Sequence, residues 1–147
     1  MTSLTTSLRL LVSALAMSLA MVPAWAQQSA PNPALALELN GAQPSEKGCR
    51  LTFVVNNNLG ADLSKAAFEI ALFNDAGVVD RLTVLDFKDL PAGKTKVTRF
   101  DLAGTDCAKV SRVLINSATE CAGIGVEPNA CMRRLNTSTK TGIAFGI

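Results

Sequence analysis

Phe68-Glu69-Ile70-Ala71-Leu72-Phe73-Asn74-Asp75-Ala76-Gly77 is an apolar run closed by turn formers. Phe68, Ile70 and Leu72 recur at every second position, the period at which an extended chain sends side chains to one face. The four residues that follow are turn formers, so the run reads as a half-buried strand ending in a reversal. The same grammar repeats on both sides. Upstream, Leu35, Leu37 and Leu39 alternate before Asn40-Gly41, a dipeptide that favours tight hairpin turns. Leu51, Phe53 and Val55 alternate before Asn56-Asn57-Asn58.

Downstream the pattern is less regular. Val78, Leu82 and Val84 share one parity while Leu85 and Phe87 have the other, which predicts a bulge or a crossing between sheets near Val84-Leu85. Leu90-Pro91-Ala92-Gly93-Lys94 is a turn, since proline fixes one dihedral and glycine can take a positive φ. Thr95 to Leu102 and Val110 to Asn116 read as strands, and Lys140 to Ile147 as a last one carrying Ile143, Phe145 and Ile147 on one face. No segment makes a convincing amphipathic helix; Ser64 to Ala71 can be argued either way, and the β reading fits its neighbours better. About seven short strands predict an all-β fold, an immunoglobulin- or fibronectin-III-like two-sheet sandwich. The corner tyrosine and core tryptophan common in such domains are missing, so Phe53, Phe68, Phe87 and Phe100 are expected to fill the core.

The first 26 residues have a different character. Arg9 is followed by an apolar run from Leu10 to Val22 and then by Ala24-Trp25-Ala26, the layout of a secretory signal peptide cleaved before Gln27. The apolar run is shorter than the roughly 20 residues a membrane-spanning helix needs. Residues 27–33 are polar and proline-bearing and read as a disordered tether, leaving 34–147 as one β-sandwich domain. With Arg9 removed, 13 of the 14 basic side chains remain against 12 acidic ones. That balance has no basic block to neutralise phosphates, so nucleic acid is not an expected partner, and Arg133-Arg134 reads as a solvated loop. The exported chain is expected to be a periplasmic or secreted monomer, with no membrane insertion after the leader is removed.

Four cysteines follow the leader: Cys49, Cys107, Cys121 and Cys131. Four cysteines allow three pairings. Cys121 with Cys131 would close the glycine- and proline-containing loop 122–130, and Cys49 with Cys107 would join the start of one strand to the loop before another. In an exported chain these are expected to be structural bridges. No Cys-x-x-Cys is present, and without histidine a zinc site would need all four thiolates or carboxylate help.

The exported chain also lacks the usual catalytic side chains. It contains no His, Tyr or Trp, so Ser-His-Asp and Cys-His catalysis are excluded, and there is no Gly-x-Ser-x-Gly elbow. Lys140-Thr141-Gly142 has no Ser-x-x-Lys partner. Gly123-Ile124-Gly125 lacks the third glycine of a dinucleotide site, and Asn136-Thr137-Ser138 is a glycosylation tripeptide only in form. Asp86 with Asp89, or Asp101 with Asp106, are the pairs that could converge for carboxylate catalysis or calcium, though aspartates at strand ends more often cap turns. No cofactor, metal or catalytic residue is assigned.

Several segments taken together resemble a group of small exported alphaproteobacterial proteins without an assigned activity. They are Cys49-Arg50-Leu51-Thr52-Phe53 with Asn56, Leu59-Gly60-Ala61-Asp62, Leu72-Phe73, Asp80-Arg81-Leu82-Thr83, Leu90-Pro91-Ala92-Gly93, Phe100-Asp101-Leu102, Cys107 and Val113-Leu114-Ile115-Asn116. The resemblance covers most of residues 35–121. It implies export and a sandwich fold, and it carries no mechanism and no site residues. The expected function is therefore a non-catalytic β-sandwich that binds another protein of the envelope. The alternative is a pilus-like or surface-assembly subunit that exchanges its terminal strand between copies.

Overall fold

The computed structural model describes residues 32–147, so the signal peptide read over 1–26 and most of the tether read over 27–33 lie outside the described residues. The alternating runs become β1 (Leu35–Ser45), β2 (Gly48–Asn57), β3 (Leu63–Asn74), β4 (Val79–Leu90), β5 (Thr95–Ala103) and β6 (Val110–Ala122), followed by β7 (Leu135–Thr139) and β8 (Ala144–Gly146). A 3-10 turn over Cys107–Lys109 precedes β6, and a single-turn helix, α1 (Ala130–Arg133), precedes β7. The strands form two four-stranded sheets, ordered β5-β2-β1-β7 and β4-β3-β6-β8.

The inward-facing positions meet as one core. Leu35, Leu37, Leu39, Leu51, Phe53 and Val55 come from the first sheet, and Phe68, Ile70, Leu72, Leu85, Phe87, Val113 and Ile115 from the second. Phe53, Phe68 and Phe87 are fully buried. Edge-to-face contacts join them, with ring centroids 5.6 Å apart for Phe53–Phe87 and 5.9 Å for Phe68–Phe87. Phe100 is half-buried at the margin of this cluster, 5.0 Å from Phe87. Two disulfides, Cys49–Cys107 and Cys121–Cys131, add covalent closure. In the chain-entropy picture they contribute roughly 4 and roughly 3 kcal/mol, because the first closes the longer loop.

The structure corrects the sequence reading at four places. Asn40-Gly41 is not a turn but a bulge inside β1, where the register with β2 shifts between Leu39 and Gly41. The reversal falls later, at Glu46-Lys47, and depends on Gly48, whose φ of 154° is accompanied by a close approach to the Leu102 carbonyl that leaves no room for a Cβ. No irregularity occurs at Val84-Leu85; β4 shifts register at its two ends, between Val79 and Arg81 and between Asp86 and Lys88. Residues 136–139, to which the sequence reading assigned no strand, lie in β7 and run parallel to β1, which brings the strands among the described residues to eight. Finally, the terminal strand covers only Ala144–Gly146: Ile143 is buried and Phe145 half-buried against Phe53, but Ile147 is 60% exposed.

Both flanks between the sheets are closed. On one side the chain turns after Thr139, where the Lys140 amide donates to the Leu39 carbonyl at 2.9 Å, and carries β7 on the first sheet into β8 on the second. On the other side Arg81 donates to the Ala103 carbonyl at 2.8 Å, and Lys96 Nζ donates to the carbonyls of Phe87 at 3.2 Å and Asp89 at 2.8 Å. These cations occupy main-chain acceptors along the β4 and β5 edges that a further strand would otherwise use. What the fold leaves open is the outer face of each sheet.

Candidate functional site

Each aspartate singled out from the sequence has its own local partner. Asp86 pairs with Lys88 at 2.7 Å and Asp89 with Lys96 at 3.3 Å. Asp101 accepts two bonds from Arg50, at 3.0 and 3.2 Å. Asp106 caps the 3-10 turn by accepting from the Ala108 amide at 3.0 Å. The Lys88 hydrogen bond holds the Asp86 carboxyl below the usual carboxylate range, and the Arg50 fork does the same for Asp101. A carboxylic general acid needs the opposite shift. Among the described residues, no three His, Cys, Asp or Glu side chains come together as metal ligands.

The two outer faces differ in chemistry. On the first sheet the cross-strand register pairs Arg50 with Asp101, Thr52 with Arg99, Val54 with Val97 and Asn56 with Thr95. Only one of these four rows is apolar, as expected of a sheet face in water. On the second sheet the register lines up Leu82, Ala71, Leu114 and Gly146 in a row across all four strands. A neighbouring row runs Val79, Phe73, Arg112 and Ala144, and on the other side lies Val84, Glu69 and Ser117.

These rows face outward because Phe68, Ile70 and Leu72 take the inward parity of β3, which sends Ala67, Glu69, Ala71 and Phe73 to the other side. Leu82 is 57% exposed, Val84 51% and Val79 47%. Ala71 is only 3% exposed since the longer side chains of Leu82 and Leu114 flank it. The result is a contiguous apolar tract with a charged residue on each flank. Arg112 lies over the Phe73 ring at 5.4 Å, and Glu69 accepts from Asn116 at 2.6 Å. An exposed apolar patch rimmed by polar residues is a candidate interaction site.

Comparison with protein-family models, with curated proteins and with solved structures finds no match. The tract was partly legible in the sequence, as the parity of Val78, Leu82 and Val84. Taken alone that parity reads as a core face; the pairing with β3 sends Leu82 and Val84 outward and Leu85 inward, while Val78 falls before β4 and Val79 takes its place in the tract.

Proposed function

We propose that this is an exported, non-catalytic, immunoglobulin-like module that works by binding another protein chain of the cell envelope. The observation that carries the reading is the apolar row Leu82–Ala71–Leu114 on the outer face of the second sheet, set against the polar outer face of the first. Export is supported by the leader-like residues 1–26 and by two disulfides, which form and persist in an oxidising, extracytoplasmic compartment such as the periplasm. No helix among the described residues is long and apolar enough to cross a membrane. The immunoglobulin-like reading is supported by strand order: β5-β2-β1 beside β4-β3-β6 is the order E-B-A beside C′-C-F of such domains. The parallel pairings of β7 with β1 and β8 with β6 depart from their usual last strand.

Binding through this face predicts that the protein, cross-linked in the native envelope before extraction, travels in a complex heavier than itself. Leu82→Asp with Val84→Asp should release it to its own mass while leaving the thermal midpoint nearly unchanged, because both side chains are more than half exposed. A complex that survives the double substitution, or a wild-type chain that travels alone, contradicts the reading. Strand exchange remains the second reading and draws on β8, which holds β6 over only Arg112–Leu114. It predicts a ladder of polymers that deletion of residues 142–147 abolishes.

A further inference from the structure

We infer that the chain occupying the outer face of the second sheet is a second copy of this protein, packed face to face about a two-fold axis. The inference rests on reading that face as a docking surface. Its ground is the self-complementary arrangement of the rows. The apolar row Leu82–Ala71–Leu114 lies between a row containing Arg112 and a row containing Glu69. A two-fold axis along the middle row leaves that row facing itself and exchanges the two flanking rows. Val84 of one copy then faces Val79 of the other, and Arg112 faces Ser117.

Arg112 also comes one strand spacing, about 4.8 Å, from Glu69 of the other copy, within reach of its long side chain across sheets packed about 10 Å apart. Within one chain these two charges cannot meet in this way. They sit four positions apart in the β3 register, since Glu69 pairs with Ser117 and Phe73 with Arg112, and each is held by its own neighbour. An isologous interface requires this property, each patch completing its own duplicate.

Size sets the strength. Four strands and three rows give a face of roughly 19 by 14 Å, on the order of 270 Å² per copy, well under the roughly 800 Å² per partner of a standard stable interface, so self-association is weak and needs high protein concentration. A weak dimer also leaves the monomer expected from the sequence as the dominant form when dilute.

The test uses purified full-length exported protein and sedimentation across a wide concentration range. Wild type should show a concentration-dependent monomer–dimer equilibrium. Leu82→Asp should abolish it, and Arg112→Glu or Glu69→Arg alone should weaken it about tenfold or more, because each sets like charges against each other. Mixing the two single charge variants should restore the dimer as a heterodimer, and combining both substitutions in one chain should restore it as a homodimer. That rescue cannot come from a variant that merely fails to fold. A wild-type chain monomeric at every concentration, or a dimer indifferent to these substitutions, overturns the inference. If the heavier complex in envelope extract still depends on Leu82 in that case, the binding reading survives with a different partner; if it does not, both fall.

Discussion

Asn57 shows how one polar side chain can organise an all-β core. It ends β2, is 1% exposed, and was visible in the sequence only as the middle of a polar triplet. In the fold its Nδ2 donates to the carbonyls of Ala61 at 2.9 Å and Leu90 at 2.7 Å, and its Oδ1 accepts from the Leu59 amide at 3.1 Å. Its own carbonyl accepts from Gly93 at 2.7 Å. One residue therefore ties the loop entering β3 to the turn leaving β4. Replacing Asn57 by Ala strands three main-chain groups in a place water reaches poorly, and should cost about 2–3 kcal/mol in urea unfolding. A cost below about 0.5 kcal/mol, the ordinary range for a surface change, would show that the loops do not depend on it. No periodicity argument could have found this role, because the partners are backbone groups supplied by the fold.

At the scale of elements, period-two alternation located β1, β2 and β3, whose Leu35-Leu37-Leu39, Leu51-Phe53-Val55 and Phe68-Ile70-Leu72 sets all turn to the core. It failed for β7. Asn136 and Ser138 are polar and exposed, and the strand is held by pairing with β1 about a hundred positions away in the chain. The Thr139 hydroxyl, which donates to the Leu39 carbonyl at 3.3 Å, closes that long loop. The last strand was read too generously for a related reason: alternation grouped Ile143 with Ile147, while only the first is covered. Ile143→Ser should therefore cost about 2–4 kcal/mol, as expected for emptying a buried aliphatic site, and Ile147→Ser should stay within about 0.5 kcal/mol. Equal costs in thermal or urea unfolding would restore the longer strand of the sequence reading. The β4 parity problem has the same origin. A strand with apolar residues on both faces gives no local clue to which face is inside.

Over the whole molecule, the disulfide framework was legible from loop lengths and turn chemistry, and both expected pairs form. Replacing Cys49 or Cys107 by Ser should cost about 2–5 kcal/mol, and replacing Cys121 or Cys131 less, since the loop it closes is shorter. Protein isolated from its native compartment should show no free thiol after denaturation; four titratable thiols would remove the bridges from the account. The proposed docking face was legible only in part, through the shared parity of Leu82 and Val84. Its row is assembled from Leu82, Ala71 and Leu114, three residues on three strands, and exists only once the register is fixed. A photo-crosslinking side chain placed at position 82, compared in living cells with the same side chain at position 99 on the outer face of the first sheet, decides whether the second sheet docks a partner. Docking through the second sheet predicts a protein adduct from position 82 and none from position 99, and equal adducts from both positions, or an adduct from position 99 alone, would contradict it.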